Sequence, residues 1–171
     1  MLALTGGKVM TMRGTVLDHG TVIVDAGKIV AVSAGGEAPA ACRIIDVSGK
    51  VVTPGLIDAH THLGIYGEGM DWAGEDANEF SEPVTPGLDV LDGINPADIG
   101  FQEAYQGGVT TVMVAPGSGN PVGGRCIIVK TKPAATVEQM LLVRHAGLKI
   151  AFGENPKRSY GLERKKMPYT R

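Results

Sequence analysis

The pattern of the chain changes at Pro54, and this change constrains the fold more than any other feature. Before it, short β-branched runs are separated by turn residues. LALTGGKVMTM reads as strand, Gly6-Gly7 turn, strand. GTVIVDAGKIVAV reads as two strands around Asp25-Ala26-Gly27-Lys28, a hairpin signal. CRIIDVSGKVVTP repeats the pattern with a turn at Ser48-Gly49. After Pro54, strands alternate with helices and open into Gly-rich loops. An apolar run at residues 55–59 precedes a long polar stretch, 65–93. NPADIGFQEAYQGG follows as a helix, with Asn95 as N-cap, Pro96 at the first helical position and Gly107-Gly108 at its end. VTTVMVAPG and RCIIVKT read as strands, VEQMLLVRHA as a helix capped by Thr136, and GLKIAFG as a strand leading into ENPKRSYG. This order predicts a small antiparallel β segment over 1–53 and a parallel α/β arrangement over 54–171.

Composition narrows the class. With 43% hydrophobic and 20% charged residues, the 171-residue chain can bury a core and is not globally disordered. A net charge of -2 gives no general affinity for nucleic acid. Charge is uneven, however. Every charged residue in 66–98 is acidic, whereas 156–171 carries Lys157, Arg158, Arg164, Lys165, Lys166 and Arg171 against Glu163. The basic end reads as a solvated surface. Cys42 and Cys126 lie in apolar stretches and read as free thiols in a reducing compartment. No secretory leader and no bilayer-length apolar run is recognisable, so a cytoplasmic location with no membrane partner is expected.

The chemistry concentrates in VVTPGLIDAHTHLG. Along a strand, residues i and i+2 share a face, so Asp58, His60 and His62 point one way. Imidazoles about 7 Å apart can converge on one ion at the end of a strand. Asp58 can hold a ring N–H from behind. A bare His-x-His is a weak signal; the Pro-Gly entry, the buried strand and the loop opening at Gly64 strengthen it. His19, in LDHGT, reads as a solvated loop histidine, and His145 as a partner of a helix C-terminus.

With these residues in view, VVTPGLIDAHTHLG resembles the signature of the metal-dependent amidohydrolase superfamily. GTVIVDAGKIVAVSAG resembles that superfamily's N-terminal β-sandwich segment. GVTTVMVAPGSGNPVGG and AGLKIAFGENPKRSYG are similar to its imidazolonepropionase-like branch. The resemblance implies an α/β fold, the N-terminal part of a (β/α)8 TIM-like barrel preceded by a small antiparallel β-sandwich segment. It implies hydrolysis of a C–N bond in an amide or cyclic amide by a metal-activated water. The divalent metal expected is zinc, as one or two ions, with iron and manganese as alternatives.

The resemblance also carries a lysine on the fourth barrel strand, carboxylated in many binuclear members. Lys149 in GLKIAF matches that position. Burial lowers a lysine pKa, and a neutral amine can add CO2 to become an anionic oxygen ligand. The alternative is a lysine whose stem packs and whose head reaches water. Lys130 and Glu154 are weaker competitors. The loop APGSGNPVGGRC can cradle an anion with backbone N–H groups or merely turn the chain. Arg125 can pair with a substrate carboxylate, and Tyr160 is a second substrate-binding candidate. The acidic stretch, with Trp72, can roof the site or be a solvated, mobile loop; the latter is the expectation.

A full barrel takes about 250 residues, whereas about 120 follow the β segment, enough for roughly four β/α units. The family's later histidine ligands and general-base aspartate have no counterpart here, so the general base is expected outside this chain. Half a barrel exposes strand edges, which points to a second polypeptide completing the barrel or to a homo-oligomer, acting on a small amide or lactam. The alternative is a non-catalytic fragment or scaffold half-barrel, inactive without a complementary chain.

Overall fold

The structure is a computed structural model and describes residues 1–170; Arg171, the last of the basic residues, lies outside the described residues. The chain divides into two compact units, Met1–Pro54 and Gly55–Arg171.

The described residues of the first unit form one five-stranded mixed sheet. β1 (Leu2–Met10), β2 (Val16–Asp25) and β3 (Lys28–Ala34) pair antiparallel in sequence, and β4 (Arg43–Asp46) and β5 (Val51–Val52) pair parallel with β1. The β2–β3 turn places Ala26 and Gly27 at φ 46° and 76°, the left-handed pair that suits a two-residue hairpin. Gly6-Gly7 does not turn the chain. The strand continues through it with a bulge, shown by register shifts on both sides of Gly7. A side chain at Gly7 would meet the Val47 carbonyl at 2.8 Å, so the glycine permits close approach rather than reversal. His19 sits within β2 and is exposed.

The second unit holds a four-stranded sheet in the order β6 (Leu56–Thr61), β7 (Val109–Val114), β8 (Val122–Lys130) and β9 (Leu141–Ile150). β6 and β7 are parallel, joined through helix α1 (Ile99–Gln106); the β7–β8 and β8–β9 pairs are antiparallel. One β–α–β unit is therefore followed by a meander, where the sequence pattern predicts a parallel arrangement. The loop 115–121 is the reason: a parallel return needs a crossover of about a dozen residues or more, and this loop is shorter.

Two helix expectations also change. The N-cap of α1 is Asp98, whose Oδ1 accepts the Gly100 N–H at 2.7 Å, while Asn95 Oδ1 accepts the Ala97 N–H in the preceding turn. VEQMLLVRHA gives only one helical turn, α2 (Val137–Met140), before β9 begins. Pairing of Leu141 with Val129 and of Val143 with Ile128 overrides local helix propensity. His145 thus lies in a strand, not at a helix end.

The core forms where α1, α2 and the loop 65–93 close over β7 and β8. Ile65, Phe101, Val112, Val114, Ile127, Val129 and Met140 are almost fully buried. The acidic stretch is hydrogen-bonded to the Gly-rich loop and to the start of β8. Asn78 Oδ1 accepts the Gly119 N–H at 2.7 Å, the Ala77 carbonyl accepts the Gly117 N–H at 2.7 Å, and Thr85 Oγ1 donates to the Gly123 carbonyl at 2.8 Å. Most of its side chains face water while its backbone is stitched to the Gly-rich loop. Trp72 is 85% exposed and forms no wall.

Candidate metal centre

The two histidines stand at the carboxyl end of β6, where the sheet stops and loops begin. β6 is an edge strand, held on one side only by β7. Its last residue, Thr61, is clamped: its carbonyl accepts the Ala115 N–H at 3.0 Å, and its hydroxyl donates to the Met113 carbonyl at 3.0 Å. Gly64, at φ 79°, then turns the chain where a side chain would meet the Phe101 ring at 2.8 Å.

This clamp orients His62. Its Nδ1 lies 2.8 Å from the Ala115 carbonyl, which can only accept, so Nδ1 carries the proton and Nε2 keeps its lone pair. Burial pushes the His62 pKa down, opposed by the Ala115 hydrogen bond and assisted by Lys149 and His60 nearby. The His60 and His62 rings meet edge to face, 5.4 Å between centroids, and Tyr66 packs against His62 the same way at 5.6 Å. These three rings border an open cleft of about 500 Å³ together with Asp58 and Glu68.

Lys149 arrives from β9, at the far edge of the sheet, and its Nζ lies 3.1 Å from His60 Nε2. Gly123 on β8 borders the Lys149 stem: a Cβ there would lie 3.5 Å from Lys149 Cβ, an ordinary van der Waals contact. Burial holds the Lys149 pKa below the ordinary lysine value, with the Cys126 thiol opposing. Burial pushes the Cys126 thiol itself up.

The other sequence candidates are engaged elsewhere. Asp58 accepts the backbone N–H of His60 at 3.0 Å rather than a ring N–H; the carbonyl of Ala115 does that service for His62. Lys130 donates to Thr111 Oγ1 at 2.8 Å, at the opposite end of the sheet. Glu154 opens a short helix, α3 (Glu154–Pro156), and is exposed. Arg125 is exposed on β8, opposite Leu148. Tyr160 is fully buried. Its hydroxyl donates to the Glu82 carbonyl at 2.8 Å and accepts from Asn120 Nδ2 at 3.0 Å, so it braces the acidic loop. Sequence reasoning missed Ala115 and Tyr66. A backbone carbonyl leaves no sequence signal, but an aromatic four residues beyond His62 could have been weighed.

Among the described residues, no three His, Cys, Asp or Glu side chains gather as a metal cage. The donor set is two imidazoles and one lysine. Such a set fits a metal only with the lysine deprotonated, as a neutral amine or an anionic carbamate, because an ammonium cannot ligate.

The chain is similar in fold and sequence to known proteins. A crystal structure of an amidohydrolase from Thermotoga maritima superposes on the whole chain with a TM-score of 0.93 and 42% identity. Amidohydrolase tasK of Hapsidospora irregularis is 33% identical over 166 residues, 89% of this chain. An imidazolonepropionase of Idiomarina loihiensis is 46% identical over 68 residues, 39% of this chain. No family model matches the chain. The chain belongs to the amidohydrolase superfamily and corresponds to its N-terminal half. It spans 44% of the Thermotoga chain, 17% of the tasK protein and 15% of the imidazolonepropionase.

Proposed function

We propose that this chain supplies the N-terminal half of the active site of a metal-dependent hydrolase acting on a C–N bond in a small amide or cyclic amide. The observation that carries this reading is the convergence of Lys149 on His60, 3.1 Å apart, from strands at opposite edges of one sheet. The similarity to amidohydrolases over the whole chain supports it.

In this reading β6 is the first strand of a (β/α)8 barrel and residues 1–53 begin a β-sandwich. His60 and His62 would hold a divalent metal, zinc in the first instance, as one or two ions, with Lys149 as the further ligand on this chain. A bound metal lowers the pKa of water and polarises a carbonyl. This chain's residues prepare that chemistry. The Ala115 carbonyl fixes the His62 tautomer and leaves Nε2 to ligate. The Lys149 amine, neutral, attacks the carbon of CO2 and releases one proton, and the carbamate presents two oxygens beside His60. Tyr66 shields one side of His62 from water. Asp58 holds the His60 backbone. Arg125 is the group on this chain for a substrate carboxylate. The general base, the remaining ligands and the rest of the barrel come from outside these residues, in the same or a second polypeptide, in the cytoplasm.

A second reading, a scaffold half that performs no chemistry alone, is favoured by one observation. Leu56 and Ile57 on β6 and Leu148 and Ile150 on β9 are exposed at both edges of the sheet. Metal analysis of the purified protein, alone and with any co-purifying polypeptide, separates the two when joined to an amide and lactam hydrolysis panel. Metal at one or two ions per site with hydrolysis supports the enzyme. An assembled sample that holds no metal and turns over nothing rejects it.

A further inference from the structure

A second concavity lies at the opposite end of the sheet from the histidines. It is bordered by α1, the start of β7, the end of β8 and the segment leading into α2. Its volume is about 500 Å³, and Tyr105, Thr110, Lys130, Lys132 and Gln139 line it over an apolar floor that includes Ala134. The polar lining is made almost wholly of donors. Lys130 Nζ spends one N–H on the neutral Thr111 hydroxyl. Gln139 Oε1 is occupied by the Ala135 N–H at 3.1 Å, which leaves its NH2 group to donate. Among the described residues, neither Lys130 nor Lys132 has a carboxylate within 4.0 Å. No acidic residue lines the cleft.

Two ammonium groups without a carboxylate partner, bordering one cleft with hydroxyl and amide groups around them, make a cradle for an anion of matching charge. Lys130 ends β8 and Lys132 follows in the bend beyond it, so both border the same cleft for one ligand with two charged oxygens. A concave, low-dielectric wall strengthens each contact over its value on an open surface.

We propose that this cleft binds a small doubly charged oxyanion, a phosphate monoester or a dicarboxylate, at a site separate from the histidine centre. The site stands on its own residues and does not depend on the hydrolase reading.

The test is titration of the protein with inorganic phosphate and, separately, malonate, at constant ionic strength, by calorimetry and amide NMR. The expected result is saturable one-site binding, with shifts confined to amides around Tyr105, Thr110, Lys130, Lys132 and Gln139. Lys132→Met should weaken it about tenfold or more, equivalent to roughly 1.4 kcal/mol. His60→Ala should leave it unchanged. Tighter binding of phosphate identifies the phosphate ester as the ligand class, and tighter binding of malonate the dicarboxylate; either supports the site. Lys132 is exposed, so its loss should not disturb folding, which circular dichroism checks; Lys130→Met adds a second reading. Non-saturating binding, equal affinity in Lys132→Met, or the same shifts with chloride alone overturns the proposal.

Discussion

Lys149 Nζ lies 3.1 Å from His60 Nε2, although β9 and β6 are opposite edges of the same sheet. The Lys149 stem lies beside Gly123 of β8. On the proposed reading, replacing Lys149 by Met removes a ligand and keeps a side chain of similar length in place. Metal content of the Met variant should fall by one ion per site relative to the parent. A parent sample equilibrated with carbon-13 bicarbonate should show a carbamate carbon signal that the variant lacks. Unchanged metal content in the variant would assign Lys149 to packing alone.

His62 offers a test that needs no metal. The Ala115 carbonyl holds the proton on Nδ1 at 2.8 Å, so nitrogen-15 NMR of the metal-free protein should show protonated Nδ1 and bare Nε2. Thr61→Val removes the hydroxyl that donates to Met113 and loosens the clamp behind Ala115. Stability should drop by about 1 kcal/mol, and the His62 tautomer ratio should move toward an even mixture.

Tyr160→Phe removes two hydrogen bonds of the brace, while Asn120 Nδ2 keeps the Glu79 and Glu82 carbonyls as acceptors, so denaturant unfolding should show a loss of about 1 kcal/mol. Metal binding by the histidines should stay as it was, since the brace holds the acidic loop. A variant with parental stability but altered substrate affinity would instead assign the hydroxyl to substrate.

Phe101 is 1% exposed and packs among Ile65, Ile94 and Val112 in the core, with its ring against Gly64. Phe101→Ala should cost about 3–5 kcal/mol in denaturant unfolding. Gly64→Ala should destabilise the same contact from the other side, because its φ of 79° and the ring both oppose a Cβ.

Asp46 carries a pH effect in the first unit. Ser48 donates its hydroxyl and its backbone N–H to Asp46 Oδ1, and these bonds hold the Asp46 carboxyl below its ordinary value of 3.8. A depressed carboxylate stabilises the fold above its unfolded pKa, and the contribution is lost as pH falls through the lower folded value. Carbon-13 NMR should show Asp46 titrating below 3.8, and Ser48→Ala should bring it back toward that value.

Local pattern in the sequence accounts for much of the fold. Three of the first-unit strands, the hairpin at Ala26-Gly27, the strand into His60 and the helix ending at Gly107 all follow from it. The elements it misses are governed by tertiary contacts. Leu141, Leu142 and Val143 continue a helical pattern on paper but lie on a strand that pairs with β8. Gly6-Gly7 reads as a turn because glycine allows one, yet here it allows a bulge against Val47. The acidic loop reads as solvated from its side chains, while the Ala77 carbonyl and the Asn78 side chain accept bonds from Gly117 and Gly119 that composition does not reveal. At the site, the histidine pair is visible from spacing, but the approach of Lys149 to His60 depends on β-sheet order, and the role of Ala115 depends on a carbonyl.

The position of β6 at the rim of its sheet, with one side paired and the other open, carries a thermodynamic consequence. Any strand that zips onto the open side fixes the pitch of His60 and His62 together, since both hang from the end of the same six-residue rail. If His60 and His62 bind a metal as proposed, metal capture and strand capture are linked equilibria. By reciprocity, whatever factor a docked strand adds to metal affinity, the metal must return in full to the docking. Chelation would loosen the assembly, and dilution of the assembly would bleed the metal.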